Sequence, residues 1–209
     1  EILTRWKKPV IVDADALYAV KEMEIDLASC PGQLILTPHV GEFTHLTGRT
    51  AADVERERID GAIAFAMDRE VTLVLKGMPT VIATADGFAY VNETGNPGMA
   101  TGGMGDTLTG IIAALAGQEM DPEPAAICGV YLHGLAGDLL AKETPVGYTA
   151  SDVASRSSFS VRLISIAMPS WRSSNHAAGS LISSSSSVRK TAFFSSMRSS
   201  VSSFFILAD

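Results

Sequence analysis

With 209 residues, 46% of them hydrophobic and 19% charged, the chain is long enough for one domain with a sizeable core and too short for two large ones. A formal net charge of −7 argues against nucleic acid or an anionic membrane as the main partner, because clustered Lys and Arg are what meet such surfaces. No run of about 18 apolar residues marks a membrane span and no basic-then-apolar leader opens the chain, which predicts a cytoplasmic protein; Cys30 and Cys128, without a C-x-x-C or a His at ligand spacing, read as reduced, buried thiols.

Residues 10–12 form a continuous apolar run, the pattern of a strand buried on both faces, and end at Asp13 and Asp15 before a helical stretch over 16–23. The two carboxylates at this strand tip suit either a metal or substrate hydroxyl or a plain helix cap. The pattern repeats at 34–36, with Thr37, Pro38 and His39 as the polar tip and a short helix over 40–47 that Gly48 stops. In that helix Glu42 suits a Mg²⁺-bound water or the N-terminal turn itself. Thr50 or Asp53 caps a longer helix whose Ile59, Ile63, Phe65 and Met67 oppose Glu55, Arg56, Arg58 and Asp68. A third buried strand over 71–75 is tipped by Lys76 and Gly77. Strand alternating with helix predicts an α/β fold, a mostly parallel sheet flanked by helices. Residues 80–84 and 88–91, joined at Asp86 and Gly87, read instead as an antiparallel hairpin on the sheet edge.

Asn92, Glu93 and Thr94 match a glycosylation acceptor, with nothing else pointing to secretion. They open a glycine-rich stretch over 92–110, with glycines at 95, 98, 102, 103 and 105 and the carboxylate Asp106 closing that series, feeding a helix expected over 107–118. Glycine lets a ligand approach the main chain, and a helix N-terminus offers unpaired N–H groups and a favourable dipole to an anion. The stretch lacks the third glycine of the dinucleotide fingerprint, and Gly110 is followed by Ile111 rather than Lys, so it is not a P-loop. Gly102, Gly103, Met104 and Gly105 then read as an anion loop with Asp106 placed to take a proton from an attacking hydroxyl; the alternative is a tight structural turn with Asp106 as cap. A small-residue helix follows from 122 to about 142, opened by Asp121, Pro122 and Glu123, with His133 as a packed, hydrogen-bonded core residue. Thr149 and Asp152 cap one more helix.

Three ordered motifs carry a resemblance: Thr37-Pro-His-Val-Gly-Glu42, Lys76-Gly77, and Asn96-Pro-Gly-Met-Ala-Thr-Gly-Gly-Met-Gly-Asp106. They closely resemble the ADP- or ATP-dependent NAD(P)H-hydrate dehydratases, a branch of the ribokinase-like fold. The resemblance implies a lyase that uses a nucleotide phosphate and Mg²⁺ to dehydrate hydrated NADH or NADPH, restoring the reduced cofactor. Carried over residue by residue, it implies Asp106 as base and substrate contact, His39 as a second substrate contact, and Lys76, Gly77, Met78, Pro79, Thr80 and Gly105 at the adenine nucleotide. It leaves open a homo-oligomer and an NAD(P)H-hydrate epimerase as separate or fused partner. The rival readings are a ribokinase-like kinase of a small alcohol and a catalytically silent nucleotide-binding module.

The likeness covers about residues 8–153, the later part of the family's domain, and the chain enters its first strand abruptly after Glu1; both imply an N-terminally truncated domain over 1–153. From Ala154 serine dominates and no acidic residue appears before Asp209. Residues 154–209 are therefore expected to be a disordered Ser-rich tail or sequence read in another frame, with an ordinary polar tail as the alternative.

Overall fold

The computed structural model describes residues 1–167. After a single helical turn, α1 (Ile2–Arg5), the chain alternates strand and helix: β1 (Val10–Val12), α2 (Asp15–Glu22), β2 (Leu34–Leu36), α3 (Val40–Thr47), α4 (Ala51–Arg56), α5 (Arg58–Arg69) and β3 (Thr72–Leu75). A hairpin of β4 (Val81–Ala83) and β5 (Ala89–Val91) follows, then α6 (Met104–Ala116), α7 (Pro122–Glu143) and α8 (Ala150–Ala167). The five strands lie in the order β1-β2-β3-β4-β5. β1, β2 and β3 pair in parallel, whereas β4 and β5 pair antiparallel, so the sheet is mixed, with the hairpin forming one edge as expected.

Pleating sorts the strand residues onto two faces. Val12, Leu34, Leu36, Leu73, Leu75 and Val81 join one apolar cluster with Leu17, Phe43, Val54, Ala62 and Ala66 of α2–α5. There the rings of Phe43 and Phe65 meet edge to face, with centroids 5.2 Å apart. The alternate residues Ile35, Val74 and Ile82, also buried, point to the face on which α6 packs against β1 and α7 against β2 and β3. α7 is long and apolar enough to cross a membrane by length and composition, but 56% of that window is buried in the domain, between α6, α8 and the sheet, so it is a core helix. Its Gly129 permits this: a Cβ there would stand 2.6 Å from Cγ1 of Ile112 on α6.

Several boundaries differ from expectation, each for a physical reason. The single helix expected after Thr50 breaks at Glu57 (φ −116°, ψ 37°) into α4 and α5. The break lets Arg58, nearly buried, reach carbonyls beyond β3 while keeping Glu55 as an ion-pair partner. α6 starts at Met104 rather than at 107, because Gly103 in the left-handed region (φ 84°) acts as its N-cap and brings Gly105 and Asp106 into the first turn. α8, capped by Thr149 and Asp152 as expected, continues past Ala154 to Ala167, so the change of composition at 154 is no structural boundary. The remainder of the Ser-rich segment lies outside the described residues.

Candidate active site

Three parallel strands end side by side, and their C-terminal tips supply Asp13, the Thr37–His39 corner and Lys76. Such tips are where open α/β sheets hold ligands. Lys76 Nζ donates to Asp13 Oδ1 at 2.9 Å and lies 3.7 Å from Glu42 Oε2. The other Asp13 oxygen, Oδ2, accepts a hydrogen bond from Thr109 Oγ1 of α6 at 2.7 Å. Burial alone pushes the Asp13 carboxyl up, but the hydrogen bonds from Lys76 and Thr109, with the Lys76 charge, outweigh it and hold the group below the usual carboxylate range. The next residue, Ala14, has φ 50° and ψ −128°. A non-glycine residue held there is strained, and such strain concentrates at functional sites.

His39 ends the β2 tip and caps α3. Its Nδ1 accepts the Glu42 N–H at 3.2 Å, while the Glu42 carboxylate accepts the His39 N–H at 2.7 Å, a reciprocal capping box. The His39 side chain is 57% exposed, so capping leaves most of the ring open to a ligand. Glu42, by contrast, is buried, and it joins the His39 cap to the Lys76–Asp13 pair.

The glycine loop arrives from the other side. Gly102 and Gly103 are exposed, Met104 is buried, and Asp106 stands exposed in the first turn of α6. No side chain caps this N-terminus, whereas side chains do cap α3 and α4. A Cβ at Gly105 would lie 3.4 Å from Lys76 Nζ and 4.0 Å from Asp13 Oδ2, so the loop backbone rests directly on the part-buried ion pair.

A pocket of about 610 Å³ opens beside this cluster. Lys76, Gly77, Met78, Pro79 and Thr80 line it together with Met104 and Gly105. The structure thus gathers all six expected nucleotide-site residues at one cavity. His39, Asp106, Gly102 and Gly103 lie outside its lining. Arg58 braces the 76–80 turn from beneath, donating to the carbonyls of Lys76 (3.4 Å) and Pro79 (3.2 Å), and Thr80 Oγ1 closes the turn on the Gly77 carbonyl at 3.0 Å.

Asn96 and Met99 of the loop and His133 and Gly134 of α7 also line the pocket, and sequence patterning did not single them out as site residues. The available signal was the run of small residues in α7, which reads equally well as helix packing. His133 departs from the satisfied core residue expected: its Nε2 is buried without a hydrogen-bond partner, and burial depresses its pKa to about 4 against the opposing backbone bond at Met104. Among the described residues no group of three or more His, Cys, Asp or Glu could hold a metal ion. Cys128 is buried with its thiol pushed up to about 12, which makes it unreactive. Cys30, expected buried, is only partly so.

Known proteins resemble this chain over most of its described length. A family model described as NAD(P)H-hydrate dehydratase matches residues 1–158. A bifunctional NAD(P)H-hydrate repair enzyme of Moorella thermoacetica is 51% identical over 143 residues, covering 68% of this chain and 27% of the relative. The ADP-dependent (S)-NAD(P)H-hydrate dehydratase of Bacillus subtilis is 39% identical over 156 residues, covering 71% of this chain and 53% of the relative. A crystal structure of the ADP/ATP-dependent dehydratase from Bacillus subtilis, co-crystallized with ATP/Mg²⁺ and soaked with CoA, superposes with a TM-score of 0.70 at 36% identity, covering 78% of this chain and 58% of that one. The chain spans about half the length of the ADP-dependent relatives and about a quarter of the bifunctional one.

Proposed function

The chain belongs to the NAD(P)H-hydrate dehydratase family, and we propose that it carries the nucleotide pocket and the base of an enzyme that dehydrates hydrated NADH or NADPH with ADP or ATP as phosphoryl donor. The observation that carries this reading is the convergence of the 76–80 turn and Gly105 on one pocket, with Asp106 in the same helical turn but outside its lining. A nucleotide held in the pocket and a hydroxyl substrate met by Asp106 would then face each other across that turn.

The residues fit an adenine nucleotide. The cavity lies in the volume range of about 300–1,000 Å³ usual for small-molecule sites, and its walls are largely apolar with a few polar groups, as a purine requires. The uncapped N–H groups of the first α6 turn supply the positive side for phosphates, beside the Lys76 ammonium that Asp13 and Glu42 already face. Magnesium characteristically binds through phosphates with only one or two carboxylates and keeps waters, and Asp13 and Glu42 are the carboxylates that would hold its water shell. When bound, the ion neutralises charge on the phosphates.

Asp106 takes the proton of the substrate hydroxyl as the phosphoryl group is transferred to that oxygen; departure of the resulting phosphate together with a proton from the neighbouring ring carbon restores the ring double bond and leaves the reduced nicotinamide. The exposed amides of Gly102 and Gly103 stabilise negative charge on the transferring group. His39, with most of its ring free, contacts the hydrated nucleotide. Several relatives are bifunctional NAD(P)H-hydrate repair enzymes, which supports reading a second repair activity, an NAD(P)H-hydrate epimerase, as this chain's partner.

The test is recovery of NADH absorbance from NADH hydrate with ADP or ATP and Mg²⁺. Asp106→Asn is expected to lower turnover by about 10²–10⁴-fold while ADP affinity is kept. Turnover unchanged by the substitution removes Asp106 as the base. Accumulation of a stable phosphoester identifies an alcohol kinase instead, and ADP binding without any turnover identifies a silent nucleotide-binding module.

A further inference from the structure

The loop that completes the pocket is gripped by α7. Gly134 and Gly137 present bare backbone to it: a Cβ at Gly134 would stand 2.7 Å from the Thr94 carbonyl carbon, and one at Gly137 2.8 Å from Met99 Cγ. Asp138, the next residue of the helix, accepts the Gly95 N–H on Oδ2 at 2.9 Å and the Asn96 side-chain amide on Oδ1 at 3.0 Å. Asn96 passes the constraint on, its Oδ1 accepting the Gly98 N–H at 3.0 Å and the Tyr148 hydroxyl at 2.5 Å. Thr94, Gly95, Asn96 and Met99 all line the pocket, whereas Asp138 does not.

We infer that Asp138 is a positioning residue for nucleotide binding, holding the backbone of 95–98, through Gly95 and Asn96, in the shape that completes the pocket. A carboxylate is required because both of its oxygens receive N–H donors. An amide of the same shape offers one acceptor and turns its own N–H groups toward the second donor. Gly134 makes the grip possible, since a Cβ there would stand 2.7 Å from the Thr94 carbonyl carbon and 2.8 Å from its oxygen and push the loop out of Asp138's reach, whereas one at Gly137 meets only the Met99 side chain. The inference rests on the pocket being the nucleotide site.

The experiment titrates ADP with Mg²⁺ into the full 209-residue chain and its variants by calorimetry. Asp138→Asn is expected to weaken ADP binding about tenfold, the scale of one lost charge-assisted hydrogen bond. Gly134→Ala, which drives a Cβ into the Thr94 backbone and displaces the same loop while leaving the carboxylate in place, is expected to do likewise and carries the test if Asp138→Asn fails to fold. Asp53→Asn, which removes the Thr50 and Arg56 contacts at the start of α4, controls for general loosening and leaves ADP affinity within about twofold. In turnover assays, KM for ADP rises in Asp138→Asn while kcat at saturating ADP is kept; an equal fall in kcat marks a merely structural role and overturns the inference. Hydrogen exchange at the Gly95 and Gly98 amides quickens in the same variant, and unchanged exchange also overturns it. If the unsubstituted chain binds no ADP, the nucleotide reading fails and this one with it. If it binds ADP and Asp138→Asn binds within about twofold of it, this inference alone fails.

Discussion

Acidification from pH 7 to 4.5 is expected to destabilise this domain, and His133 is one cause. Burial holds the imidazole at a pKa of about 4. In the unfolded chain it returns to the ordinary value near 6.5. Between those values the unfolded chain binds more protons than the folded one, so the stabilisation is complete above pH 6.5, falls through the window and is gone below about 4. A drop in pKa from 6.5 to about 4, at about 1.36 kcal/mol for each tenfold in proton affinity, comes to about 3 kcal/mol. Against a total stability of about 5–15 kcal/mol for a domain this is a large share. Urea denaturation followed by far-UV circular dichroism, at steps from pH 7.5 to 4.5, reads it as a falling midpoint at constant m-value. His133→Gln, which has no charge to gain, should flatten the curve over that window. A flat curve for the unsubstituted chain, or the same slope in His133→Gln, refutes the assignment.

Two further outcomes follow from packing. Arg58→Ala leaves the Lys76 and Pro79 carbonyls without their donor and should cost about 1–3 kcal/mol in denaturation midpoint, with weaker ADP binding because the 76–80 turn loses its brace. Phe43→Ala empties a fully buried position between α3 and α5 and should cost about 3–5 kcal/mol; a loss below about 1 kcal/mol means that the two helices do not meet there.

The elements that were legible in the sequence are those whose cause is local. Leu34–Leu36 is a strand because a short apolar run between polar tips suits burial on both faces; Val10–Val12 is a strand too, but only Val12 of it is buried, and Gly48 ends α3 because the left-handed turn there (φ 72°) favours glycine. Asp86 and Gly87 turn the hairpin for the same kind of reason, Gly87 having φ 85°. What stayed hidden has its cause elsewhere in the chain. The α4–α5 break depends on carbonyls 18 and 21 residues beyond Arg58. The Asp13–Lys76 pair spans 63 residues, and the Asp138 grip on Gly95 spans 43. The start of α6 was hidden for another reason: glycine at 102, 103 and 105 disfavours helix by intrinsic propensity, and tertiary packing overrides it from Met104 onward. The motif resemblance gathered residues that patterning could not, since neither His39 nor Lys76 carries a periodic signal.

The ion pairing of Lys76 alters how the site should be understood to bind an anion. As an isolated lysine at a strand tip it would be a flexible hook for phosphate. In the structure two carboxylates already face its ammonium, Asp13 at 2.9 Å and Glu42 at 3.7 Å, so one positive charge meets two negative ones. Asp13 in turn holds Thr109 of α6, and Glu42 holds the cap at His39. Lys76 therefore pins the ends of β1, β2 and β3 to the helix that follows the glycine loop, and its charge is largely matched before any ligand arrives. Removing it would leave the part-buried Asp13 and the buried Glu42 as unmatched like charges, a destabilising change that is separate from any loss of ligand contact. The attraction for phosphate then falls chiefly on the N–H groups at the start of α6, which no side chain caps and whose backbone at Gly105 lies against the Lys76 ammonium. The Lys76–Asp13 pair sets where those amides stand, and the glycines leave them open.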